Sequence, residues 1–171
     1  TRAKEAGKIR FAGVSINDAP SAMYLIENRL ADVLQVPFNI LEPAVGQEIL
    51  GVAAEAGVGV MVRVPMAQGI LTGKFAPGAA VAQDHRALLA GDRMADYIER
   101  AEGVRPIAAA AGLPMSRLAL RYVLSQRGVS AAIPGARTIA QLDENVAASD
   151  GAGLPENVLA EIAALQRSWA E

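Results

Sequence analysis

Residues 57–74 read Gly57-Val-Gly-Val-Met-Val-Arg-Val64-Pro-Met-Ala-Gln-Gly-Ile-Leu-Thr-Gly-Lys74. Within them Val58–Val64 carries valine at every second position and a single charge, Arg63. The run is short, bounded by Gly57 and Pro65, and rich in β-branched residues. It is apolar almost throughout instead of alternating with charges. That is the pattern of a strand covered on both faces, hence of a parallel sheet.

Three further runs share the pattern: Ile9–Val14, Val33–Phe38 and Val129–Ile133. Helical segments separate them. Pro20–Leu30 opens with proline in the first turn, where a missing N–H costs nothing. Gly46–Ala56 stops at Gly57. Arg93–Ala111 repeats Met94, Tyr97, Ile98, Ala101 and Ala108 at helical spacing, with Pro106 as a candidate kink. Pro114–Gln126 sets Leu118, Ala119, Tyr122 and Val123 on one face. Thr138–Ala148 begins with a capping-box match, Thr138 to Gln141. Pro155–Ala170 places Val158, Ile162, Leu165 and Trp169 on one stripe. Strands that alternate with helices mean βαβ crossovers and an α/β fold. Residues 75–92 form the one long irregular segment, after the third strand. Ligand sites of α/β folds lie at the C-terminal ends of such strands.

The 171 residues form one domain, 1–171, with 16 Lys+Arg against 18 Asp+Glu. No basic excess exists to bind a phosphate backbone, and aromatics at 4% are too few for base stacking, so no nucleic-acid partner is expected. The absence of cysteine excludes disulfides, thiolate zinc sites and thiol nucleophiles. A single histidine, His85, excludes a His-rich metal cage, and no metal is expected. The longest apolar stretch, Ile49–Val62, is interrupted by Glu55 and too short to span a bilayer, so no membrane role is expected. The polar start lacks a signal peptide, and a cytoplasmic location is the expectation. The chain opens on Thr1, which fits a piece of a longer protein.

Generic motifs fail. Gly57-Val-Gly59 precedes a strand where a dinucleotide fingerprint follows one. Gly69-Ile-Leu-Thr-Gly73-Lys74 is one residue too short for a P-loop, and Phe75 stands where Ser or Thr would meet magnesium. His85 lies beside Asp84 and Arg86 in the irregular segment and reads as a solvated loop histidine. Glu99 and Glu102 read as surface ion-pair partners of Arg100 and Arg105.

Four segments in order carry a more specific signal. They are Gly7-Lys-Ile-Arg-Phe-Ala-Gly-Val-Ser15, Leu34-Gln35-Val-Pro-Phe38-Asn39, Val64–Lys74, and Ala132-Ile-Pro-Gly-Ala-Arg137-Thr-Ile-Ala-Gln141-Leu-Asp-Glu-Asn145. Together they resemble the aldo/keto reductases, over the C-terminal half of that family's (β/α)8 TIM barrel. The resemblance implies the last four βα units, strands five to eight. It also implies a nicotinamide coenzyme, NADP (NADPH), and a small-molecule carbonyl substrate.

By this resemblance Ser15 and Gln35 hydrogen-bond the nicotinamide carboxamide. Phe38 takes the place of a tyrosine that stacks on nicotinamide; plain core packing is the alternative. Pro65, Met66, Gln68, Gly69, Leu71 and Lys74 belong to the loop that wraps the pyrophosphate. Lys74 offsets phosphate charge there, or is simply solvated. Gly135 and Arg137 lie at a helix start, where free N–H groups and a guanidinium fork suit the adenosine 2′-phosphate. This argues for NADP over NAD. Gln141, Glu144 and Asn145 share one face of the following helix and are counted with the coenzyme site, Gln141 and Asn145 approaching the adenosine; a polar helix face is the compatible alternative. The chain departs from the family pattern at Ile16, where Asn is frequent, and at Arg63 and Val64, where many members have Tyr and Ser.

The family's acid–base set of Asp, Tyr, Lys and His comes from the second to fourth strands. No catalytic residue is therefore assigned in this chain, and Tyr24, Tyr97 and Tyr122 fall on helices. A closed barrel of this type needs about 250 residues and rarely fewer than about 200. The expected partner is accordingly the missing N-terminal half-barrel or a second chain, and the isolated chain is expected to be inactive. The alternative from another class is a non-catalytic NADP-binding or half-barrel interaction module.

Overall fold

The computed structural model describes residues 2–76 and 92–169. Four strands, β1 (Gly13–Ser15), β2 (Val33–Pro37), β3 (Gly59–Arg63) and β4 (Val129–Ile133), form one sheet in the order β1-β2-β3-β4. Every neighbouring pair is parallel. The helices are α1 (Arg2–Glu5), α2 (Ala19–Glu27), α3 (Ala44–Ala56), α4 (Asp92–Ala110), α5 (Met115–Leu124), α6 (Ile139–Val146) and α7 (Glu156–Ser168). A short 3-10 segment, Ala67–Thr72, follows β3. A four-strand parallel sheet of this kind fits part of a (β/α)8 barrel. Most of the irregular segment expected at 75–92, with Asp84, His85 and Arg86, lies outside the described residues.

The central strands β2 and β3 are covered on one face, not on both. Leu34, Val36, Val60 and Val62 are fully buried and join Ile49, Leu50, Leu118 and Val123 in one apolar cluster. Gln35, Pro37, Met61 and Arg63, on the opposite face by the two-residue period, stay partly exposed. The crossover helices shield only the outer side of the sheet. A valine-rich run therefore overstated the burial of its inward positions.

The first strand is shorter than expected. Only Gly13–Ser15 pair, and all three residues are exposed. Ile9 and Phe11 precede the strand, with Phe11 65% exposed. Among the described residues β1 has a sheet neighbour on one side alone, so little holds the preceding residues in the sheet. The lead-in is tied instead by Asp32, which accepts from Ala12 N–H at 2.7 Å and pairs with Lys4 at 2.5 Å.

Local chemistry explains the other boundaries. Asp18 caps α2 by accepting from Ser21 N–H at 2.8 Å. Thr138 caps α6, as the capping-box reading requires, accepting from Gln141 N–H at 3.2 Å. The returning Gln141 Oε1 bonds Arg137 N–H at 2.7 Å, one residue ahead of the cap. Pro106 lies inside α4 without dividing it. Gly46 lets α3 approach β2: a Cβ there would sit 2.2 Å from Phe38 Cδ2. Between β3 and β4 the register slips at Val60/Met61, leaving Ser130 unpaired. Its hydroxyl takes the Val60 N–H at 3.1 Å in place of a ladder bond.

Beyond β4 an apolar groove of about 700 Å³ runs between α5 and α6. Leu142 and Val146 on α6 form its outer lip and are exposed, as is Ile139 one turn earlier. Among the described residues no single helix is long and apolar enough to cross a membrane. One pair, Arg93–Ala110 with Met115–Leu124, passes by length and composition together but is bent by 90°.

Candidate functional site

At the C-terminal ends of β3 and β4 a cleft of about 800 Å³ opens between two walls. The β3 wall carries Val64, Pro65, Met66, Gln68, Gly69 and Lys74. The β4 wall carries Gly135, Arg137, Gln141, Glu144 and Asn145, with Ile133 at the floor side. Ten of the residues expected to bind coenzyme, far apart in sequence, meet here.

The β3 wall owes its shape to unusual backbone. Val64, Ala67 and Gln68 have φ of 50°, 47° and 54°, and Gly69 has 92°. Left-handed geometry is costly for a β-branched residue, while Gly69 adopts it freely. The chain thus doubles back after β3 and presents Pro65–Gly69 to the cleft. Thr72 Oγ1 donates to Gly69 carbonyl at 2.6 Å and tightens the turn. Lys74 is exposed, with its ammonium 5.3 Å from the Phe75 ring centre.

The opposite wall is held by its own polar side chains. Asn145 is buried and donates to Gly135 carbonyl at 3.3 Å, pinning the loop that carries Arg137. Gln141 fixes the Arg137 backbone through the bond already described. Glu144 accepts two hydrogen bonds from Arg117 on α5, at 3.1 and 2.8 Å. That pair leaves the wall without an unbalanced negative charge. Arg117 and the cleft residue Ser116 carried no sequence signal, because α5 reads as an ordinary amphipathic helix.

Four expected residues lie elsewhere. Ser15, the last residue of β1, and Gln35, the middle residue of β2, are register partners and share the open face of the sheet. Their neighbour there is Arg63, whose Nη2 donates to Ile16 carbonyl at 3.4 Å and to Asn17 Oδ1. Both acceptors are neutral, so the guanidinium keeps its full charge at the mouth of this face.

Phe38 and Leu71 require correction. Phe38 is 1% exposed and stacks on Tyr122, ring centres 5.6 Å apart. It lies three residues from Gln35 and hence on the helix-covered face, which rules it out as a wall for a ring placed beside Gln35. The core-packing alternative holds. Leu71 is fully buried, because the 3-10 turn directs Ala67, Ile70 and Leu71 into the core.

The tyrosines also sort themselves. Burial pushes the Tyr97 hydroxyl up to about 12, with Glu42 adding to the shift and Arg93 opposing it. Burial likewise raises Tyr122, partly offset by Gln166. Both changes make a poorer proton donor near neutrality. Among the described residues no group of three or more acidic or histidine side chains could hold a metal.

The model of the aldo/keto reductase family matches residues 1–167. The chain is 31% identical over 149 residues to the NADH-specific methylglyoxal reductase of Escherichia coli, covering 85% of this chain and 45% of that protein. It is 32% identical over 109 residues to a probable voltage-gated potassium channel subunit beta of Arabidopsis thaliana, covering 60% and 33%. The solved structure of the glycerol dehydrogenase AKR11B4 from Gluconobacter oxydans superposes with a TM-score of 0.80 at 25% identity, over 98% of this chain and 52% of that one. The chain therefore spans between about a third and about half of the length of these proteins.

Proposed function

Because the chain belongs to the aldo/keto reductase family of oxidoreductases, we propose that it is the coenzyme-binding portion of an NADP-dependent reductase of aldehydes or ketones. The observation that carries this reading is the cleft in which residues of the Pro65–Lys74 and Gly135–Asn145 segments converge. Its volume is in the range of small-molecule sites. A dinucleotide needs cations, close backbone approach and polar groups, and the two walls offer all three. Arg137 and Lys74 supply positive charge for phosphates, and Gly69 and Gly135 leave open space above the backbone. Gln141 and Asn145 hold the Arg137 loop in shape.

When bound, the coenzyme supplies the hydride. The protein's own contribution is binding and orientation. Ser15 and Gln35, adjacent on the open face, offer a hydroxyl and an amide for a carboxamide group. Burial raises the hydroxyls of Tyr97 and Tyr122, so the proton is assigned to residues outside the described chain. Those would come from the remaining part of the barrel, which would also cover the free edges of β1 and β4. We place the protein in the cytoplasm.

A second reading is a nucleotide-binding module without turnover, a regulatory or interaction subunit. The similarity to the plant channel subunit and the raised tyrosines favour it.

Titrating the chain with NADPH and with NADH, followed by their fluorescence, tests the proposal. NADPH should bind about tenfold or more tighter, and Arg137→Ala should abolish that preference, as loss of a charge-assisted phosphate contact requires. Equal affinity for the two coenzymes overturns the NADP assignment, and binding of neither overturns the coenzyme reading. Coenzyme binding without carbonyl-dependent NADPH oxidation by the complete protein selects the second reading.

A further inference from the structure

Asn39 is 0% exposed and lines neither the cleft nor the apolar groove. Its carboxamide is fully engaged. Oδ1 accepts from Leu41 N–H at 2.9 Å and from Glu42 N–H at 3.0 Å, closing the turn after β2. Nδ2 crosses to the next strand end, donating to Val64 carbonyl at 3.2 Å and more weakly to Glu42 Oε2 at 3.5 Å. A turn of this type needs only the oxygen. The nitrogen therefore serves Val64, a residue 25 positions away.

Val64 is the β-branched residue held at φ 50°. Strain of this kind persists only where the surroundings impose it. Two N–H groups converge on the Val64 carbonyl: Asn39 Nδ2, and Ala67 N–H at 2.9 Å. The second comes from the turn itself and closes only after the kink has formed. Asn39 is the external clamp.

We propose that Asn39 is a positioning residue for the cleft. By gripping the Val64 carbonyl it holds the left-handed kink that turns Pro65–Gly69 toward the ligand. Without the grip, Val64 relaxes toward negative φ and the β3 wall swings out of place. The ligand named in the test rests on the coenzyme reading above; the clamp itself does not.

The test compares Asn39→Ser, Val64→Gly and the double variant in the full chain. Serine keeps a turn-closing oxygen but is too short to reach Val64. Glycine enters the left-handed region without penalty, so it needs no clamp. Asn39→Ser should weaken NADPH binding about tenfold and speed amide exchange at Ala67 and Leu71, two of the backbone donors inside the turn. Val64→Gly sets its own reference affinity, and adding Asn39→Ser to it should weaken binding less than about twofold. A full loss of about tenfold when Asn39→Ser is added to Val64→Gly shows that Asn39 supports only the fold and overturns the proposal, as does an unchanged Asn39→Ser. If Asn39→Ser fails to fold, Asn39→Asp, which keeps size and oxygen, takes its place in the same comparison. If the wild-type chain binds no NADPH, the coenzyme reading falls, and the exchange rates at Ala67 and Leu71 decide on Asn39.

Discussion

Arg117 on α5 grips Glu144 on α6 with both ends of its fork, Nε to Oε1 at 3.1 Å and Nη2 to Oε2 at 2.8 Å. The pair joins α5, which contributes Ser116 to the cleft, to a side chain of α6 that lines it. A half-exposed pair of this kind adds less than about 1 kcal/mol to stability. Its larger effect is electrostatic, since it neutralises a carboxylate facing the space assigned to phosphate. Arg117→Met should therefore leave the thermal midpoint nearly unchanged and weaken NADPH about fivefold, the size of a near-surface charge repulsion. Adding Glu144→Gln should restore the affinity. Fluorescence titration reads both, and an unchanged Arg117→Met would remove Glu144 from the coenzyme's neighbourhood.

Gly46 gives a stability prediction independent of any ligand. The Phe38 ring that a Cβ would strike is buried and stacked, so it has nowhere to move. Gly46→Ala should cost about 1–3 kcal/mol through overpacking. Phe38→Leu, which shortens the obstacle, should make the second substitution less damaging than the sum of the two. Urea unfolding midpoints decide, and strict additivity would contradict the contact.

Acid stability should depend on Asp32. The Ala12 N–H, and then Lys4, hold its carboxyl below the usual 3.8. The folded chain thus releases this proton more readily than the unfolded chain. The stabilisation is complete above pH 4 or so and disappears as pH falls through the lower folded value. Asp32→Asn should flatten the acid limb of a midpoint-against-pH curve and leave the shape above about pH 5 unchanged. A parallel shift at all pH values would place the effect in lost hydrogen bonding alone.

Much of this fold was legible in the chain. Valine spacing located β3 to within a residue, and Thr138 with Gln141 announced the start of α6. What failed did so for a definable reason. Composition reports that a strand is apolar but not how many of its faces are covered, so Ile9–Val14 looked like core while only Gly13–Ser15 pair. Phe38 was recoverable: Leu34, Val36 and Phe38 share one parity and Gln35 the other, which already separates the ring from the amide. The left-handed path at Val64 carried no local signal, because nothing in Val-Pro-Met announces positive φ. The clamp proposed for it, Asn39, reaches it from the turn after β2. Arg117 was hidden for the same reason, its partner lying 27 residues away.

The sheet's two ends are unlike. β1 offers three exposed residues led in by Ile9 and Phe11; β4 offers a five-residue strand flanked by the apolar lip of α6. Because all strands run the same way, anything that pairs with β4 in parallel leaves its own far edge pointing onward. Among the described residues the parallel sheet therefore has a direction across its width as well as along its strands.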